Sequence, residues 1–230
     1  MADAIETREY GYSRFTPEEY DFTIDEGLQA GERYEDVTLR TLTGDAVQLS
    51  AYINDKPLVL ETGSMTCPMY AQSVPPMMKL IDKYPSLDHL LMYVREAHPG
   101  ELQPQHRTDE EKIAAAKKTK RRYRDGRTIL VDDVHGSAHR YYGTMPNSIF
   151  VIDTDGTILF RSIWNNALDM DEVLKSIANR NQVDSRELKA VPPFSLGAVR
   201  TLFMGGFIAV WDFVRGLPRL VSNHKKVGNM

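Results

Sequence analysis

Apolar runs of strand length, each followed by residues of helical period, recur through the middle of this 230-residue chain. Lys56-Pro57-Leu58-Val59-Leu60-Glu61-Thr62-Gly63 places a short apolar run after a proline and reads as a buried central strand. From Pro68 the period changes. Tyr70, Val74, Met77, Met78 and Ile81 fall on one helical face, with a bend expected at Pro75 and Pro76. His89 to Val94 is a second strand-length run, and it ends in the loop signature Arg95-Glu96-Ala97-His98-Pro99-Gly100. Thr108-Asp109-Glu110-Glu111 has the form of a capping box opening a helix to Tyr123, and Thr128 to Val131 follows as a short strand. Two hairpins bracket these elements. Residues 36–52 alternate around Thr43-Gly44-Asp45, and Ser148 to Asp153 returns as Thr157 to Arg161 around Thr154-Asp155-Gly156. Asp169 to Asn179 completes the series as a capped amphipathic helix. Such α/β alternation calls for a mainly parallel sheet covered on both faces, with its chemistry at the C-terminal edge of the strands.

The length suits one α/β domain with appendages. Residues 1–33 read as an N-terminal extension, 34–182 as the catalytic domain and 183–230 as a C-terminal helical, apolar extension. A composition of 42% hydrophobic and 26% charged residues is that of a globular protein and argues against a disordered or fibrous class. The net charge of −4 offers no positive field for a phosphate backbone, so no nucleic-acid partner is expected. The one basic run, Lys117 to Arg124, reads as the solvated C-terminal end of a helix, with an anion or partner patch as the alternative. After Pro192-Pro193, residues 195–214 are strongly apolar but interrupted by Arg200 and Asp212, which leaves too short an uncharged run for a membrane span of about 20 residues. This segment is expected to pack on the domain or on a second copy in a homodimer. The alternative is a membrane surface, met together with Arg215, Arg219, Lys225 and Lys226. The first 20 residues contain no apolar signal segment, and a single cysteine cannot form an internal disulfide, so a cytoplasmic setting is expected.

Cys67 stands where the first central strand hands over to a helix, and Pro68 is a residue favoured in a first helical turn. The helix dipole and its free N–H groups favour a thiolate there, with a pKa lowered to about 3.5–7.5 from about 8.5. The alternative is a buried cysteine that merely packs. Because the chain has one cysteine, any disulfide cycle must borrow its second sulfur from another molecule. His98 hangs from the C-terminal end of the second strand, where it would hold the thiolate or deliver a proton near neutral pH, unless it is a loop histidine without a duty. His106 falls in a polar loop. His135 and His139 follow Asp132-Asp133, but no second cysteine accompanies them and no metal site is expected.

Three motifs, GSMTCPMY, YVREAHP and YYGTMPNSIFVIDTDGTILFRSIWN, occur in order over about residues 55–180. Together they resemble the iodothyronine deiodinase family, in which a GSCT-U-P segment carries selenocysteine, an EAH segment follows the next strand and a W-N pair follows the hairpin. The resemblance implies an α/β, thioredoxin-like fold with peroxiredoxin-like features, built on a central mixed β-sheet flanked by helices. It places Cys67 at the selenocysteine position, preceded by Thr66, and matches Glu96, Ala97 and His98 to EAH and Trp164 and Asn165 to W-N. The implied catalytic set is Cys67, His98, Thr66 and Glu96, and the implied substrate-binding set is Ser64, Met65, Pro146, Asn147 and Trp164. Met65 replaces a family cysteine, and Asn147-Ser148 replace a Glu-Arg pair associated with substrate handling. Thioredoxin-like folds put a cis-proline beside the reactive sulfur at the position of Pro146.

The implied reaction is thiol-dependent. Cys67 attacks a soft electrophile such as a carbon-bound iodine on a small-molecule substrate, His98 delivers a proton to the carbon, and an external thiol reductant such as thioredoxin or glutathione restores Cys67, with no bound cofactor. One alternative is a one-cysteine, peroxiredoxin-like thiol peroxidase. Ser64 and Cys67 meet its P-x-x-x-T/S-x-x-C motif, while Leu60 stands where proline belongs. A binding protein that keeps the fold without turnover is the other.

Overall fold

The computed structural model describes residues 10–20, 26–183, 188 and 196–226. Its seven strands are β1 (Thr38–Arg40), β2 (Ala46–Gln48), β3 (Leu58–Gly63), β4 (Asp88–Tyr93), β5 (Thr128–Val131), β6 (Ile149–Ile152) and β7 (Ile158–Ser162). They form one sheet in the order β2-β1-β5-β4-β3-β6-β7. Only β3–β4 and β4–β5 are parallel; the remaining pairings are antiparallel. The sheet is therefore mixed rather than mainly parallel. The tight turns of the two hairpins make β1–β2 and β6–β7 antiparallel, and each hairpin meets the parallel core through an antiparallel strand, β1 on β5 and β6 on β3.

The strand read as central is central: every residue of β3 is buried, and β4 and β6 flank it. The helices are α1 (Pro68–Lys83), α2 (Asp109–Tyr123), α3 (Ser137–Tyr141), α4 (Ala167–Ala178), α5 (Leu196–Gly205) and α6 (Phe207–Lys226). Because side chains alternate across a strand, the sheet has two distinct apolar faces. On one, Val59, Val151 and Phe160 pack with residues of α1 and α4, while Leu91, Tyr93, Ile129 and Val131 pack with residues of α1 and α2. On the other, Leu60, Leu90, Met92, Leu130 and Phe150 are covered by Leu49, Ala138 and Tyr142 rather than by a long helix.

Local signals in the sequence set several boundaries. The Thr108 hydroxyl accepts the Glu111 N–H at 3.3 Å and starts α2, which ends at Arg124 in a left-handed conformation (φ 54°). α1 runs through Pro75 and Pro76 without a break in the helix. Leu49–Tyr52, read as part of the second hairpin strand, is a 3₁₀ turn instead. α3 has no counterpart in the sequence reading. It forms because the buried Asp132 carboxylate accepts the Ala138 and His139 N–H groups at 3.0 and 3.2 Å, a long-loop arrangement that leaves no periodic trace.

The parallel register of β3 and β4, which ends at Gly63 opposite Tyr93, fixes where chemistry can sit. Both strands finish at the same edge. The chain leaving β3 reaches Cys67, and the chain leaving β4 reaches Glu96 and His98.

Candidate active site

Cys67 is the N-cap of α1, and its Sγ accepts the Tyr70 N–H at 3.5 Å. The sulfur is thus held where the sequence puts it, with a helix N–H directed at it. Its ionisation is not as expected. Cys67 is 1% exposed, and burial pushes its pKa up to about 12 despite the opposing Tyr70 and Met69 N–H groups, so the thiol is neutral in this arrangement. Desolvation wins because two weak backbone donors replace less of the hydration of a thiolate than burial removes.

Behind the sulfur lies a polar network with its bonds made. Glu96 is fully buried, and its Oε2 accepts both the N–H and the hydroxyl of Thr66, at 2.9 and 2.6 Å. Its Oε1 accepts the Tyr93 hydroxyl, and His106 Nε2 lies 3.5 Å away. The Thr66 hydroxyl in turn accepts the His98 N–H at 3.0 Å, and the Ser64 hydroxyl accepts the Ala97 N–H at 3.2 Å. Gln105 clamps the Glu96 backbone, accepting its N–H at 3.0 Å and donating to its carbonyl at 2.8 Å. These bonds tie the turn before α1 to the turn after β4. They fix His98 beside the loop that carries Cys67.

In front of the sulfur the surroundings are apolar. Cys67, His98, Pro146 and Trp164 line a cavity of about 70 Å³ together with Phe15, Tyr20 and, from α6, Phe213, Leu217, Leu220, Val221 and His224. The His98 ring lies between Phe15 and Phe213, with ring centroids 4.4 and 5.5 Å away, and its Nδ1 has no hydrogen-bond partner. Burial pushes its pKa down to about 3 against the pull of Asp212, so this imidazole is neutral at physiological pH, contrary to the expectation of a charge change near neutrality.

α6 is docked by specific contacts. Its Asp212 pairs with Arg14, its Asn223 donates to the Tyr20 carbonyl at 3.2 Å, and His224 lies on Trp164 with ring centroids 5.5 Å apart. At its N-terminus, Glu101 from the loop after His98 accepts the Phe207 and Ile208 N–H groups. Gly100 and Gly205 meet so closely that a Cβ on Gly205 would lie 2.5 Å from the His98 carbonyl oxygen.

Of the residues expected at the substrate, Pro146 and Trp164 line the cavity, while Ser64, Met65 and Asn147 do not. Met65 is fully buried, with its carbonyl accepting the Tyr123 hydroxyl at 2.7 Å, and the Asn147 amide donates to Glu61 at 2.7 Å beneath α1. Thr66 and Glu96 act on the site from behind. The Met145–Pro146 peptide is trans, unlike the cis-proline that thioredoxin-like folds put at this place; the Met145 carbonyl is held by the Thr62 hydroxyl at 3.0 Å and by His139 Nε2 at 2.8 Å. Sequence reading missed His106, Gln105 and Tyr93 as partners of Glu96. It also missed the whole of α6 as a wall of the cavity. Among the described residues no group of side chains is arranged to hold a metal ion.

A family model for iodothyronine deiodinase matches residues 27–167, more than half of the chain. The chain belongs to the iodothyronine deiodinase family. Human thyroxine 5-deiodinase is 30% identical over 117 residues, which cover 46% of this chain and 38% of that protein. The pig type II iodothyronine deiodinase is 36% identical over 64 residues, 27% of this chain and 24% of its own length. The chain thus spans well under half the length of these deiodinases. In three dimensions it is similar to a hypothetical protein from Sinorhizobium meliloti, with a TM-score of 0.57 at 15% identity over 71% of this chain and 91% of that one. It is also similar to the thioredoxin domain of a thiol-disulfide oxidoreductase from Bacteroides vulgatus, with a TM-score of 0.51 at 14% identity over 66% and 100% of the two chains. The fold is thioredoxin-like. The deiodinase match contains Cys67, Glu96, His98 and Trp164, whereas residues 10–20 and both C-terminal helices lie outside it.

Proposed function

We propose that this deiodinase-family chain is a thiol-dependent oxidoreductase that removes halogen reductively from an aromatic substrate, with Cys67 as its nucleophile. The observation that carries the reading is the placement of Cys67 Sγ at a helix N-cap, on the same cavity wall as the unpartnered His98 Nδ1. Phe15, Trp164 and Phe213 supply the apolar and aromatic walls that suit a substrate ring. Membership in a family with relatives named for thyroxine supports a carbon-bound iodine as the reacting group.

The reaction balances without a resident cofactor. The thiol passes its proton to His98, the sulfur attacks the halogen, the carbon–halogen bond breaks, and the carbon takes the proton from His98. A sulfur–halogen bond on Cys67 remains. One external thiol displaces halide to form a mixed disulfide, and a second thiol releases Cys67 reduced and leaves with the first as a disulfide. The space in front of the sulfur, about 70 Å³, is smaller than the roughly 150 Å³ of an apolar cavity that holds a benzene-sized ring. Turnover therefore requires α6 to move from Cys67. Hydration then relieves the desolvation that holds the thiol and the imidazole neutral.

Halide release from an iodinated phenol in the presence of a dithiol tests the reading. Wild-type protein releases iodide and Cys67→Ser releases none. Equal release by the two proteins sinks the proposal, as does a wild type that releases no halide but consumes peroxide rapidly.

A further inference from the structure

The C-terminal helices have two unlike sides. The inner side packs on the domain through the buried Ala198, Leu202, Ala209 and Phe213. On the outer side Phe207, Trp211 and Val214 are 78%, 62% and 57% exposed, at a spacing of four and then three residues, so they form one stripe along the first half of α6. Phe203 of α5 extends it, its ring centroid 5.9 Å from that of Phe207, and Ile208 borders it. So large an exposed patch of Trp, Phe, Ile and Val marks an interaction surface rather than ordinary surface hydrophobicity.

The charge beside the stripe identifies its partner. Residues 196–226 contain five cations, Arg200, Arg215, Arg219, Lys225 and Lys226, and one acid, the buried Asp212 paired with Arg14. This excess of cations belongs to a chain of net charge −4. All five cations are exposed, and Arg200 lines a shallow surface hollow with Arg122, from the basic end of α2. Two copies of such a segment carry the same net positive charge, which opposes their association. No helix among the described residues is long and apolar enough to cross a membrane, which leaves a surface-lying geometry.

We infer that the outer face of α6 docks on an anionic lipid bilayer surface, with Phe207, Trp211 and Val214 entering the headgroup boundary and the cations meeting lipid phosphates and carboxylates. An amphipathic helix with a Trp- and Phe-bearing apolar face and Arg and Lys flanks has the composition for this contact. The inference does not depend on the chemistry assigned to Cys67.

Vesicle pelleting with the full chain tests it. Vesicles of equal parts phosphatidylcholine and phosphatidylserine pellet the protein, at least tenfold more strongly than phosphatidylcholine alone, and added salt weakens the binding. Each substitution of Arg215→Gln or Arg219→Gln weakens it about fivefold. Trp211 emission shifts to the blue on binding, and Trp211→Phe, which leaves only the buried Trp164, removes the shift while vesicles still pellet the protein. Phe207→Ser, at an exposed position that does not endanger the fold, reduces pelleting at least tenfold with an unchanged circular dichroism spectrum. The inference fails if anionic vesicles do not pellet the protein, or if Phe207→Ser pellets like wild type. It also fails if sedimentation in lipid-free buffer shows a dimer that Phe207→Ser dissolves, which would assign the stripe to a second copy.

Discussion

The two sides of Cys67 are built on opposite principles. Behind it, Thr66, Glu96, Tyr93, Gln105 and His106 form a network of directional bonds, drawn from the loops that leave two parallel strands. In front of it, Phe15, Phe213, Leu217 and Leu220, drawn from the two ends of the chain, supply mainly contact without direction, to which α6 adds a few directional bonds through Arg14–Asp212, Asn223 and Glu101. Hydrogen-bonded groups hold one geometry, because a buried donor or acceptor without its partner is costly. Apolar contacts can be undone and remade in several geometries at similar cost. The rear therefore fixes Cys67 and His98, and the front is the part that the proposed reaction needs to open.

The largest expected effect tests the front. Phe213→Ala removes the ring that lies against His98, and large-to-small changes at buried aromatic sites cost about 3 kcal/mol or more. Charged against the docking of α6, about 3 kcal/mol raises the rate at which iodoacetamide alkylates Cys67 on the order of a hundredfold. If alkylation is as slow as in wild type, α6 does not govern access.

Thr66→Val tests the rear. It keeps the shape but deletes the donor to Glu96 and the acceptor for the His98 N–H, which destabilises the fold by about 1–3 kcal/mol in urea unfolding. Its Cys67 alkylation rate stays within a few-fold of wild type, because the front is untouched. A hundredfold rise there would erase the distinction between the two sides.

The smallest effect is a pH dependence. In the unfolded chain His98 takes a proton near pH 6.5, whereas the folded imidazole takes none until about pH 3. The unfolded state thus binds more protons in that window, and stability is fully present above pH 6.5 and falls as pH drops toward 3. At pH 5.5 this amounts to about 1.4 kcal/mol for one such group. His98→Phe flattens the slope by one proton. His89, also pushed down to about 3 by burial and then by Arg127, leaves a similar contribution in place. An unaltered slope would place His98 in water rather than between Phe15 and Phe213.

The sequence carried the rear of the site and little of the front. Strand period and the Cys67-Pro68 step locate the end of β3 and the start of α1. The run His89 to Val94 locates β4, and parallel pairing then brings Glu96 and His98 to the same edge without further information. The front depends on contacts between residues far apart in sequence, such as Phe15 and Phe213 each against His98, 83 and 115 positions away, and no local period records which apolar face will meet which cavity. The same gap explains the misjudged thiol: the helix N-terminus was legible, but the α6 side chains that dehydrate the sulfur were not. His106 looked like one more polar loop residue because Glu96 is ten positions earlier in sequence and adjacent only where the loop folds back through Gln105.

The meeting of Gly100 with Gly205 has a mechanical consequence. Neither position has room for a side chain, so the corner between α5 and α6 rides directly on the backbone that carries His98, and Glu101 fastens that backbone to the start of α6. The Thr66 hydroxyl holds the His98 N–H from the other side, so under the proposed reaction α6 swings on this corner while the imidazole keeps its place. Under that proposal the moving wall of the site is pinned to its fixed wall, and a guest too small to displace the helix never reaches the sulfur.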